Sequence, residues 1–308
     1  MILYESNKNW LRDVGHLSKS WTMQRVIRAT LLISALTAVV CVVQTEVLHW
    51  NTMGLDVTIF SLLGVVLSIL LSFRTNSAYD RWWEGRKQWG ELVNTSRNLA
   101  TYLHAILPEE DKATRRYIAV RLANFSIALR DHLRNGALTG ELQLVSPEEL
   151  ARYKSKSHIP NYIAYEIIQR IQDRYMARAI GPEDHLNLKM HTQELLNILG
   201  ACERIKKTPI PFSYNVYLKL FITIYGITLP FALIPLFGYW SVLMVGFVFF
   251  AFIGLELMAE EIEDPFGLDC NDLPTGAIAH TIKTNVFEIF ELRQEEKEKP
   301  AEIYSKVF

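Results

Sequence analysis

The sequence is poor in cysteine, in net charge and in recognisable catalytic motifs. Its 308 residues include three cysteines, Cys41, Cys202 and Cys270, which form no CxxC pair. That spacing gives no disulfide framework and suits a reducing side or a membrane interior, with each thiol a small apolar filler. A formal net charge of −1 leaves no basic surplus to neutralise phosphates, so a nucleic-acid partner is not expected. No HExxH, GxSxG, Walker loop or GxGxxG occurs, and Ser, Cys and His form no nucleophile cluster, so nothing favours an enzyme. His185 and His191 lie six apart and share no helix face, while His16, His49, His104, His132, His158 and His280 stand isolated along the chain. No alternating strand pattern persists, and no repeat of the length that builds solenoids is present. The polar first 28 residues, with Lys8, Arg12, Lys19, Arg25 and Arg28, do not form a signal peptide.

What the chain has is long uncharged runs. Ala29 to Thr45 and Val57 to Phe73 each give about 17 residues without charge, the low end of the spanning range. Leu220 to Leu255 continues uncharged for a length that one helix would stretch to roughly 54 Å, against a hydrocarbon core of about 30 Å. It must fold back, and Pro230, Pro235 and Gly238 are the expected break. The reading is four membrane helices, at 29–48, 55–73, 215–236 and 240–258, with Lys219 and Glu256 at span ends reaching for the interface.

Lysine and arginine set the orientation. The segment before the first span has five, and the links EVLHWNTMGLD and the hairpin tip have none. After the second span come Arg74, Arg81, Arg86 and Lys87. Both termini and the long middle segment are therefore expected in the cytoplasm of a cell with an inner membrane. The N-terminal segment is 1–28, a helical cytosolic region covers 105–214, and a cytosolic C-terminal segment covers 259–308. Within the middle region, helical periodicity runs through Trp89–Leu103, Tyr117–Leu129, residues 159–180 and residues 184–205. Asp184 is a candidate cap, and Pro147 with Glu148 and Glu149 marks a short helix. The tail after Glu291 is charged.

The second span continues without proline past Phe73 into SFRTNSAYDRWW, so one helix leaves lipid and enters water. Val65, Ile69 and Phe73 recur every four residues on one side of it, bordered by Leu62 and Val66. Around an axis these would make apolar rings, which gate by dewetting. Packing against another span is the alternative that spacing leaves open. After the fourth span, Glu260, Glu261, Glu263, Asp264, Asp269, Asn271 and Asp272 crowd about a dozen residues. That oxygen density suits a hard cation such as Ca²⁺, although the spacing is not that of an EF-hand and a solvated acidic turn would look the same. Arg81 could pair with Asp80 or with this turn.

Residues 73–100, FRTNSAYDRWWEGRKQWGELVNTSRNLA, and 260–274, EEIEDPFGLDCNDLP, resemble the bestrophin family of ion channels, above all its bacterial branch. The resemblance extends over nearly the whole chain. It implies an all-α membrane protein, a homopentamer around one central pore, with four membrane helices and a large helical cytosolic region per subunit. It also implies a pore neck of three apolar rings, here Val65, Ile69 and Phe73. Animal members are calcium-activated chloride channels, and matching their calcium clasp places Glu261, Asp264, Asp269 and Asp272 at its positions. The unbroken acidic run of those members is interrupted here as LDCNDL, so Ca²⁺ is a candidate ligand and no cofactor is required. A second constriction at the cytosolic mouth is matched to Ile180, before Gly181-Pro182. The expectation is a channel for small monovalent ions, chloride or sodium and potassium, with itself, the bilayer and those ions as partners. The competing expectation is a membrane-anchored helical scaffold or sensor that conducts nothing.

Overall fold

A computed structural model describes residues 21–48, 55–134, 141–269 and 271–292. Among these residues there are helices and no strands. The readings for residues 1–20, for Cys270 and for most of the charged tail lie outside the described residues.

Helix α1, Trp21–Val42, starts ahead of the uncharged run and carries Arg25 and Arg28 on its first turns. It ends in a π-helical turn, Val43–Val47. Helix α2, Val57–Ile106, is a single 50-residue rod. The Asp56 carboxylate caps it by accepting the Thr58 N–H at 2.8 Å, and it stops where Leu107 turns extended before Pro108. At 1.5 Å per residue the rod is about 75 Å long, more than twice a hydrocarbon core, so it must serve two environments. Its buried residues divide accordingly. Phe60, Leu67 and Leu71 join one apolar cluster, and Trp89, Leu92, Leu99 and Leu103 join another.

The first cluster is the membrane bundle. Helices α1 and α2 pack there with α7, Phe212–Phe237, and α8, Trp240–Glu263, through Ile33, Leu218, Ile222, Val245 and Phe249. Among the described residues, four segments are long and apolar enough to cross a membrane. The hairpin corner differs from the sequence reading. Pro230 and Pro235 both lie inside α7, which continues through them, and the chain turns only at Gly238. That residue has φ +52° and ψ −131°, a conformation closed to side chains with a Cβ. Proline is tolerated inside a membrane helix because neighbouring groups re-satisfy the freed carbonyls.

The second cluster is a helical body built on α3, Lys112–Leu133. Around α3 stand α5, Ile159–Met176, α6, Pro182–Lys207, and α9, Thr275–Ile289, with the far half of α2. Short helix α4, Pro147–Lys154, closes one side with a Ser146–Glu149 capping box. The body therefore extends beyond 105–214, since Phe266, Leu273, Ala279 and Val286 from the C-terminal segment fill its core. Helix α3 is buried on nearly every face, as expected of a central helix. Its Arg121 is neutralised by Glu149 and by Glu166 at 2.9 Å. Asp184 does not cap α6. Gly181 occupies the cap position and Asp184 sits in the first turn, where the helix dipole favours a carboxylate.

Candidate functional site

Val65, Ile69 and Phe73 stand 57, 51 and 62 % exposed on the bundle's outer face, while Leu67 and Leu71 on the opposite side of α2 are fully buried. Among the described residues, no other span of the same chain buries the three. Leu62 and Val66 border this stripe and are also exposed. Its other edge carries Ser61, Ser68 and Ser72. Ser68 Oγ donates to the Gly64 carbonyl at 2.8 Å and Ser72 Oγ to the Ser68 carbonyl at 2.9 Å. Both hydroxyls are satisfied within their own helix, and small residues of this kind let membrane helices approach one another closely.

One residue after Phe73, Arg74 turns the other way. It is 1 % exposed, with Nη2 at 2.7 Å from Glu263 Oε2 and Nε at 3.6 Å from Glu256 Oε2. Glu256 is fully buried in that pair and does not reach for the interface. Lys219 does lie half exposed, 3.0 Å from Glu260. Arg81, two turns further on, donates to the carbonyls of Glu263 at 3.0 Å, Ile205 at 2.6 Å and Thr208. The Ile210 N–H donates to Glu263 Oε1 at 2.8 Å, and Tyr214 Oη donates to the Leu70 carbonyl at 2.7 Å. Burial lowers the Arg81 pKa against the opposing pull of Glu263 and Asp264. These bonds tie α2, the end of α8 and the α6–α7 link into one joint just beyond the exposed stripe. Arg74, Arg81 and Glu263 are spent on that joint and do not present free charge.

The acidic segment is similarly committed. Glu261 accepts from Thr22 Oγ1 at 2.5 Å and from Asn271 Nδ2 at 3.0 Å. Asp264 pairs with Lys206 at 2.6 Å. Asp272 accepts the Asp269 N–H at 2.6 Å, and burial pushes its carboxyl up to about 7. Calcium takes six to eight converging oxygens. Here Glu261, Asp264 and Asp272 are each bonded to another protein group, one of them an ammonium. What the segment does is dock. Phe266 is fully buried against Gly85 of α2, where a Cβ would lie 3.2 Å from its ring and 3.1 Å from Pro265 Cγ. Trp82 Nε1 donates to the Asn271 carbonyl at 3.0 Å, and Arg134 reaches the Phe266 carbonyl and Thr275 Oγ1.

Ile180 is 3 % exposed inside the helical body, so its side chain is not offered to any aperture. Further along, Leu186 and Met190 stand one turn apart on α6 at 64 and 72 % exposed. Their spacing by four was visible in HLNLKM, but nothing in the sequence distinguished an outward apolar pair from a buried one. Tyr102 stacks on His191 at 5.1 Å, which sets this part of α6 beside the far end of α2. The isolation of His132 and His158 along the chain does not survive folding. Both rings meet Glu203, at 2.7 and 3.0 Å.

The chain matches the family model described as Bacterial/Fungal Bestrophin protein over residues 1–288. It is 38 % identical over 233 residues to a voltage-dependent anion channel-forming protein of Nostoc sp., covering 74 % of this chain and 76 % of that one. It is 32 % identical over 260 residues to the voltage-dependent anion channel-forming protein YneE of Escherichia coli, covering 83 and 84 % of the two chains. A crystal structure of a bacterial bestrophin homologue from Klebsiella pneumoniae superposes with a TM-score of 0.81 at 31 % identity, over 87 % of this chain and all of that one.

Proposed function

This chain belongs to the bacterial and fungal bestrophin family, and we propose that copies of it surround a common axis whose neck is ringed by Val65, Ile69 and Phe73. The protein is an all-helical membrane protein and an ion channel. Its relatives carry the name of voltage-dependent anion channel-forming proteins, and small monovalent anions are accordingly the proposed permeant class. The assembly is read as a homopentamer in the inner membrane, with both termini and the helical body cytoplasmic, in line with the lysine and arginine count of the links. Leu186 and Met190, exposed on α6, take the place of Ile180 as the proposed second constriction. No cofactor is invoked.

The observation that carries the neck is the exposure of three apolar residues at every fourth position on the helix that also leaves the membrane, with the first charge beyond them turned inward. An ion passing such rings sheds water and gains no ligand, so the rings act as a barrier that wets or dries. They do not choose the sign of the ion. Purified protein in planar bilayers under a KCl gradient tests both points. The expected current reverses near the chloride equilibrium potential, and replacing Val65, Ile69 and Phe73 together by Ala raises conductance or open time. Reversal near the potassium potential removes the anion assignment. A triple variant that conducts like the parent removes the neck, and a parent that passes no current returns the scaffold reading.

A further inference from the structure

We propose that His132, His158 and Glu203 form a binding site for a divalent metal of the zinc class, joining α3, α5 and α6. His132 lies on the last turn of α3, His158 caps the start of α5, and Glu203 lies near the end of α6. Glu203 is 71 residues from His132 and 45 from His158, so only the packing of the three helices brings the group together. His132 Nε2 and His158 Nε2 both meet the same oxygen, Glu203 Oε1, at 2.7 and 3.0 Å. The two rings stack with centroids 4.4 Å apart. One ligand atom from each residue lies within 4.8 Å of the other two, the one such group among the described residues.

Two imidazoles and one carboxylate are a ligand set for zinc and its neighbours, and a poor one for calcium or magnesium, which want oxygen alone. Three protein ligands leave a fourth position for water. Bonds of about 2.0–2.2 Å at tetrahedral angles put ligand atoms about 3.3–3.6 Å apart, so each histidine Nε2 must back away from Glu203 Oε1 by roughly half an ångström, and the ligand atoms already lie within 4.8 Å of one another. Glu203 supplies an anionic ligand, since an ordinary carboxyl is ionised at neutral pH. Lys207 Nζ, 3.3 Å from the same oxygen, is 70 % exposed and can swing away. The metal has a cost. His158 Nδ1 accepts the Asn161 N–H at 3.3 Å, and a metal on Nε2 leaves the ring proton on Nδ1, so α5 gives up that cap. All three ligands are partly open to solvent, which gives the ion a way in.

This site is independent of ion conduction, and its test uses the full chain in detergent, stripped with a chelator and titrated with Zn²⁺ alone by calorimetry. Co²⁺ absorption in the visible reports the geometry. The parent should take up one tight Zn²⁺ per chain, give the Co²⁺ band of a tetrahedral site and ignore Ca²⁺ and Mg²⁺. His158→Asn keeps a capping side chain, and Glu203→Gln keeps the shape. Each should weaken Zn²⁺ by ~100-fold or more and abolish the band. The proposal falls if the parent holds no Zn²⁺ more tightly than millimolar, or if both folded variants bind it as the parent does.

Discussion

Arg74 buries a guanidinium among carboxylates, where the desolvation of each charge is offset only by the others. Its Nη2 bonds Glu263, and among the described residues the fully buried Glu256 has no other charged partner within salt-bridge distance. Arg74→Ala leaves those carboxylates uncompensated and should cost about 3–5 kcal/mol. It should show as a clear fall in the thermal midpoint of the detergent-purified protein. Arg74→Met combined with Glu256→Gln and Glu263→Gln should recover most of that loss. A single variant as stable as the parent would mean that the pair contributes nothing. The sequence marked Arg74 as the first charge after the apolar run, which is a local fact. That it turns inward depends on Glu263, 189 positions away, and no local pattern reports that. Ile180 failed as an aperture residue for the same kind of reason, because an isoleucine before Gly-Pro reads alike whether it closes a core or lines a mouth.

Helix α2 is one element with two employments. Its first half presents the apolar stripe, and its second half is a wall of the helical body. The docking of the Pro265–Gly267 corner on Gly85 ties the end of α8 to α2 beyond the exposed stripe, and the missing Cβ is what lets Phe266 approach. Gly85→Val should overpack that contact at a cost of about 1–3 kcal/mol and Gly85→Ala at less, read as graded losses of thermal midpoint. Equal midpoints for all three proteins would remove the docking argument. The rod's continuity was legible because neither proline nor glycine pairs interrupt it. The hairpin corner was less so. Two prolines looked like the break, yet the membrane environment tolerates them and the glycine makes the turn.

A single chain exposes Val65, Ile69 and Phe73 together with Leu186 and Met190, and the proposed axis would cover both sets. Mass measurement in mild detergent should find five chains, and a monomer or dimer would sink the axial arrangement. What the sequence determined by itself was the partition between lipid and water. It set the four spans, the helical class, the passage of α2 from one solvent to the other and the four-residue stripe, because hydropathy and helical periodicity depend on near neighbours along the chain. Tertiary structure decided which charges are spent and which side chains meet. It folded Arg74, Arg81, Glu256 and Glu263 into a joint, bonded Glu261 to Thr22 and Asp264 to Lys206, and brought His132 and His158 onto Glu203. Those outcomes rest on contacts between residues far apart in sequence, where the packing of whole helices, and not the pattern of any one, sets the distance.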